Sequence, residues 1–466
     1  MDKILGKLRA LRHRERIYGM HNPLTYDFLH HNLHHLHVLL FHSADQQDFT
    51  RGAIPRQLLV FMLPILLSQL LQQFYTIADT ALVGQVLGAQ ALAAVGTASL
   101  VLSVIVNFFI GFSAGLSVLV SHLYGEKDYA RLSALVQSIF ITVALFAALF
   151  TAAGIVLTER LLAALSTPAK LIPAASIYLN TVLYGMLAQL LYNTASAILR
   201  ALDVVLLIVI PCGIAGAAVA TVLAQYAAAL LALWKLFHLH GTWKLRFSRP
   251  FFALGHLLPI LSTSIPAGLQ AVFMSLSSLV IQTYINSFGY AAMAGMTVYA
   301  RIEGFLYYPL FAFGIALTSF IGQNVGAHDL TRVRTGLRIS LRLAAGGTIG
   351  MALIAGLAAP ALVALFTDAP AVAANALDAV YYTFPFYWLY GVNQIYIGAI
   401  RGLGDTLYPM MTALAAYCLF RVAWCWGWDL TGIHSMHIVY SAYSVSFFVM
   451  AGLLWLGCRR ALCRVS

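Results

Sequence analysis

Ser68, Gln72, Tyr75 and Asp79 stand at i, i+4, i+7 and i+11 within the first long apolar stretch of the chain, so a helix there carries all four on one face. An ionised aspartate inside a membrane-spanning helix costs roughly 2.5–3.5 kcal/mol on insertion scales. Such a residue therefore marks a water-filled cavity or an ion path. In a dry site a carboxylate must hold either a proton or a cation, and the two compete for it. The plainer reading is that Asp79 ends its span and caps a turn with Thr80 and Gly84.

A second polar stripe runs through Gln189, Asn193, Ser196 and Arg200 at 4, 3, 4 spacing. Asp203 follows, ten residues before Gly213, and Thr221 lies eighteen residues after Asp203. These side chains either line a cavity or hydrogen-bond between helices for about 0.6 kcal/mol each. Asp203 is either a second intramembrane acid or a loop aspartate beside Arg200. Further on, Tyr299 and Glu303 share a helix face beside Arg301, while Gln270, Gln394 and Arg421 interrupt apolar segments. Glu303 reads most simply as half of a buried pair with Arg301 or Arg421. Tyr381, Tyr382, Tyr387, Trp388 and Tyr390 offer π faces to a cation, or anchor helices at the lipid interface. The HNLHH string at 31–35 resembles a single metal-binding histidine box, with His434 and His437 a poor second one. A solvated tail explains it better, and no metal site and no enzyme activity are expected.

The elements that position these residues follow from composition. Apolar residues make up 61% of the chain and charged residues 9%, far below the roughly 25% charged fraction of soluble domains. Lipid is therefore the main solvent. Apolar runs near the ~20 residues needed to cross a bilayer recur at about 58–83, 90–121, 132–157, 172–199, 213–237, 256–285, 290–323, 336–366, 373–400, 407–427 and 433–458, with a short piece at 204–212. The first ~50 residues are polar and basic with no cleavable signal, so the first span is expected to serve as its own insertion signal. A net charge of +11 would suggest nucleic acid in a soluble protein, but the Lys and Arg residues sit in particular loops, which the positive-inside rule explains without one. The five cysteines, Cys212, Cys418, Cys425, Cys458 and Cys463, lack metal-ligand spacing and are expected to be core thiols.

The chain also repeats itself. At an offset of 201 residues Gly88 falls on Gly289, Gly125 on Gly326, Asp128 on Asp329 and Arg200 on Arg401. Beyond Arg200 the offset becomes 219, Gly213 matching Gly432, so the first copy is 18 residues short. The 12 residues between Arg200 and Gly213 rise only about 18 Å as helix, against a core of about 30 Å. A short half-membrane helix or a chain damaged by deletion is expected there. The divisions that follow are a basic, His-rich extension at 1–53, a first helical lobe at 54–237, a cytoplasmic loop at 238–255 and a second lobe at 256–466.

The stretch IADTALVGQVLGAQALAAVG at 77–96, GEKD at 125–128, ILRAL at 198–202, GIAGAAVATVLAQ at 213–225 and IRGLGDTLYP at 400–409 together resemble the multidrug and toxic compound extrusion (MATE) family, in its bacterial DNA-damage-inducible F-like branch. The resemblance implies an all-α polytopic membrane protein of two pseudo-symmetric six-helix lobes, here with a truncated fifth helix. It implies an antiporter that exports organic cations or other xenobiotics in exchange for H⁺ or Na⁺, with no other cofactor. By resemblance Asp79 binds the coupling cation with Tyr75 and Gln72 beside it, and Asn193, Asp203 and Thr221 face the same cavity. A monomer in the inner (plasma) membrane is expected, both termini cytoplasmic, with lipid and a small organic cation as partners. A lipid-linked precursor flippase of the same superfamily and an inactive deletion variant are the alternatives.

Overall fold

Eleven α-helical segments make up the computed structural model, which describes residues 48–164, 172–186, 230, 254–367 and 369–465; over 70–101 it describes the backbone. They are α1 (Ile54–Gly125), α2 (Tyr129–Ala164), α3 (Ile172–Tyr184), α4 (Leu254–Asn286), α5 (Tyr290–Gly326), α6 (Leu330–Ala364), α7 (Pro370–Thr383), α8 (Tyr387–Gly402), α9 (Leu407–Ala413), α10 (Arg421–Leu430) and α11 (Met436–Val465). Seven helical stretches among the described residues are long and apolar enough to cross a membrane, and none of the described residues is in a strand. The fold is all-α and polytopic.

The expected spans at 58–83 and 90–121 lie in one helical run, α1, of 72 residues. As a straight rod it would measure about 108 Å. Yet the Phe49 N–H, just before it, donates to Gln323 Oε1 at 3.0 Å, and a Cβ on Gly125, at its far end, would lie 2.1 Å from the Gln323 carbonyl oxygen. Both ends thus meet the same residue, so α1 must fold back on itself.

The 201-residue repeat is expressed in three dimensions at one end of the bundle. After α1 and after α5 the chain makes the same turn, with Lys127 at φ 60° and His328 at φ 58°. Asp128 Oδ1 accepts the Arg131 N–H at 3.1 Å, and Asp329 Oδ1 accepts the Arg332 N–H at 2.8 Å, each capping the helix that follows. The two turns also touch each other reciprocally. Gly125 packs on the Gln323 backbone, and Gly326 on the His122 carbonyl, where a Cβ would again lie 2.1 Å away. A side chain at either glycine would push α1 and α5 apart.

The apolar core has two parts. Leu116, Leu132, Ile139, Leu179 and their neighbours join α1, α2 and α3. The larger part joins α4 to α11 and takes in Phe49, Leu58, Phe61 and Ile65 from the start of the chain. Residues 48–53, at the end of the expected extension, are held firmly. Phe49 is fully buried between Phe61 and Phe320. Its carbonyl accepts from Arg332 Nε at 2.7 Å and Asn324 Nδ2 at 3.1 Å, and Arg332 Nη2 reaches Gly52 O and Gln57 Oε1.

Two expectations need correction. The span at 373–400 is broken at Phe384–Phe386, a 3₁₀ turn around Pro385, because proline cannot continue the helical hydrogen-bond ladder. Of the thiols, Cys425 and Cys458 are buried, but Cys418 is half-buried and Cys463, near the end of α11, is exposed. Cys212 lies outside the described residues.

Candidate functional site

Between the first arm-pair of the chain and its second half lies a cavity of about 600 Å³. Each wall is a helix face read at three- and four-residue spacing. On α8 these are Tyr387, Tyr390, Gln394, Ile397 and Arg401, and on α5 Glu303, Tyr307 and Phe311. Gln270, Met274, Ser278 and Gln282 form the α4 wall, and Tyr443 and Phe447 the α11 wall. From α1 come Gln69, Ser103 and Asn107, which again requires its two arms to lie side by side. Asn107 Nδ2 donates to Ser275 Oγ at 2.9 Å and ties α1 to α4 across the floor.

Tyr417 and Arg421 reach the cavity from an unusual backbone. Residues Leu414–Phe420 are a π-helix, joining α9 to α10 with a wider turn that leaves carbonyls without their usual partners. Ser277 Oγ on α4 donates to the Tyr417 carbonyl, satisfying one acceptor that the π turn releases, and Cys418 Sγ donates in return to the Phe273 carbonyl of α4 at 2.9 Å. The phenol of Tyr417 accepts from Asn393 Nδ2 at 3.3 Å.

The charged groups do not pair as expected. Arg301 is exposed on the outside of α5. Among the described residues no ion pair joins Glu303 to Arg421; Glu303 Oε1 instead accepts from the Tyr387 hydroxyl at 3.1 Å. Arg421 is buried and donates to Ser446 Oγ through Nη2 at 2.9 Å and Nε at 3.2 Å. Its guanidinium lies 4.3 Å from the Tyr443 ring centre and 4.9 Å from that of Tyr417, so aromatic faces take the place of a counter-ion. The expected Glu303–arginine pair is thus replaced by two separately held charges facing one space. Around them Tyr307, Tyr387 and Tyr390 form a ring cluster, with centroids 5.7 Å apart for Tyr307–Tyr390 and 5.2 Å for Tyr387–Tyr390.

Of the residues singled out from sequence, Gln270, Glu303, Tyr387, Tyr390, Gln394 and Arg421 meet in this cavity. Tyr381 and Tyr382 are exposed. His434 is engaged in a local contact, stacked 4.2 Å from Phe288 and 2.6 Å from Asp429 Oδ1. The side chains of Gln72, Tyr75 and Asp79, and residues Asn193, Asp203 and Thr221 altogether, lie outside the described residues, as does the histidine string at 31–35. Sequence reading missed Asn107, Ser278, Gln282 and the cavity role of Arg401. Polar residues recurring every four positions along α4 were the signal that would have found two of them.

The sequence model of the MatE family matches residues 64–229 and 266–426. The chain is 29% identical over 395 residues to the probable multidrug resistance protein YpnP of Bacillus subtilis (strain 168), covering 80% of this chain and 88% of that one. It is 28% identical over 420 residues to the probable multidrug resistance protein NorM of Aromatoleum aromaticum, covering 83% and 88%. Among solved structures, MATE in the bent conformation superposes with a TM-score of 0.81 at 19% identity, over 90% of this chain and 97% of that one. A MOP superfamily transporter from Pyrococcus furiosus, whose binding pocket is described as of reverse polarity, gives 0.81 at 20% identity, over 90% and 98%. At such identities the structural likeness is one of fold.

Proposed function

Because the chain belongs to the MatE family, and is thereby a multi-pass membrane transporter, we propose that it is a secondary active antiporter that exports organic cations or other xenobiotics in exchange for H⁺ or Na⁺. The observation that carries this reading is the cavity itself: about 600 Å³, walled by helices from both halves, with Glu303 set among tyrosine faces. A carboxylate beside aromatic rings suits an organic cation, which gains from both. In a site away from bulk water that carboxylate is neutralised by a proton, an inorganic cation or the substrate, and exchange among them is the basis of coupling.

Asp79, with Tyr75 and Gln72 one and two turns before it, is proposed as the coupling acid of the first half, with Asn193, Asp203 and Thr221 around it. Basic clusters at the helix ends and turn of Lys127 to Arg131, Arg332 to Arg342 and Arg459 to Arg464 support an inner-membrane location with both termini cytoplasmic. The transporter is taken to work as a monomer in lipid. One observation favours the flippase as a second reading: the described cavity wall holds two arginines, Arg401 and Arg421, against one glutamate.

The test is efflux of a fluorescent organic cation from proteoliposomes under imposed pH or Na⁺ gradients. Gradient-driven efflux is expected, with Asp79→Asn abolishing it. Normal efflux by that variant would remove Asp79 from the coupling role. Absence of efflux and of any Na⁺- or pH-dependent stabilisation would instead fit an inactive chain.

A further inference from the structure

Arg401 is the one charged side chain of the described cavity wall whose surroundings do not account for it. It stands in the last turn of α8, where a cation complements the helix end and satisfies the positive-inside rule. An arginine serving only those ends extends its guanidinium to water. Arg401 turns inward instead. Its Nη2 donates to Gln270 Oε1 on α4 at 2.8 Å, its Nε–H is buried without an acceptor, and it lines the same cavity as Glu303. Among the described residues no carboxylate lies within ion-pair distance, whereas Arg421 in the same wall is engaged by Ser446 and two tyrosine faces. A half-buried guanidinium left with one neutral amide and a buried, unsatisfied Nε–H is costly unless an anion offsets its charge.

The second charge lies far off along the same wall. Tyr387, which donates to Glu303, is fourteen residues before Arg401 on α8, about 21 Å along the helix axis. Arginine side chains on a helix lean toward its N-terminus, which shortens that gap. Tyrosine rings fill the wall next to Glu303.

We propose that Arg401 and Gln270 form an anion subsite of the cavity, and that the preferred solute is an elongated amphoteric molecule, its cationic aromatic end at Glu303 and the tyrosines and its carboxylate at Arg401. This rests on the transporter reading and narrows its substrate class from cations to molecules bearing both charges. Gln270 holds the guanidinium fork toward the cavity, and the remaining Nη donors supply the paired N–H geometry that carboxylates accept.

The experiment is equilibrium binding to the purified full chain in nanodiscs, with no gradient, so its outcome is independent of whether antiport is confirmed. Two probes share one scaffold: a styrylpyridinium dye with an N-carboxypentyl tail, and its methyl ester. The wild type should bind the acid about tenfold more tightly than the ester, equivalent to about 1.4 kcal/mol. Arg401→Gln should bring the acid-to-ester affinity ratio to about one, and Arg401→Lys should keep part of the preference. Equal affinity of the wild type for the two dyes overturns the proposal without any variant, as does an Arg401→Gln protein that still prefers the acid or loses both dyes equally. Farnesyl diphosphate is the competing arm: displacement of the acid dye by it at concentrations where a second amphoteric carboxylate fails would overturn the amphoteric solute in favour of a lipid-linked phosphate.

Discussion

Glu303 and Arg421 show how a membrane interior tolerates charge without an ion pair. Each is held by neutral partners, a tyrosine hydroxyl for the first and a serine with two aromatic faces for the second. The arrangement leaves both charges free to act on a third molecule, which a direct salt bridge would not. Glu303→Gln retains an oxygen for the Tyr387 hydroxyl but removes the charge, so affinity for a cationic dye should fall about tenfold, or about 1.4 kcal/mol, with the fold intact. Unchanged affinity would show that Glu303 does not face the solute. Arg421→Lys should lower thermal stability, by about 1–3 kcal/mol, because an ammonium cannot stack on Tyr443 or make both bonds to Ser446. A melting curve equal to the wild type would mean the clamp contributes nothing.

Among the elements, two backbone features carry more than their length suggests. The π segment Leu414–Phe420 sets the register of everything after it, including Arg421. Deleting Ala415 should restore α register and rotate Arg421 by about 100° away from the cavity, so dye binding should be lost while far-ultraviolet circular dichroism still reports a helical protein. Retained binding would show that the π turn is incidental. The crossing of α1 and α5 depends on the absence of a side chain at Gly326, since a Cβ there would meet the His122 carbonyl at 2.1 Å. Gly326→Ala should cost about 1–3 kcal/mol in thermal unfolding. Gly346→Ala is its control, because that Cβ meets nothing within 4 Å and a helix-interior glycine is the weaker helix former.

At the scale of the molecule, the halves meet through reciprocal contacts related by the repeat. Besides Gly125 on Gln323 and Gly326 on His122, which the repeat exchanges, an ideal Cβ at Gly322 would lie 2.8 Å from Ser121 Cβ, and these two contacting positions are themselves 201 residues apart. A transporter that alternates access must separate this end of the bundle once per cycle. In a background with the five native cysteines replaced, Ser121→Cys with Gly322→Cys should cross-link on oxidation, stop efflux, and recover it on reduction. Efflux continuing through the cross-linked state would mean that the halves do not part here.

Hydropathy runs determined the helices, because crossing lipid demands length and apolarity that a sequence displays directly. The 201-residue offset determined that the chain is built twice, and matched Asp128 with Asp329, which cap the two equivalent turns. Spacing alone also brought Tyr299 and Glu303 to one helix face. Tertiary structure decided which faces meet: the sequence pairs Glu303 with an arginine, yet packing sends Arg301 outward and gives Arg421 to Ser446 and two tyrosines. It also decided that Phe49 joins the core of the second half, and that Arg401 turns inward to Gln270. Periodicity is a property of one helix and survives in the sequence. The partner across a cavity is set by the crossing of α1, α4, α5, α8 and α11, which no local pattern encodes.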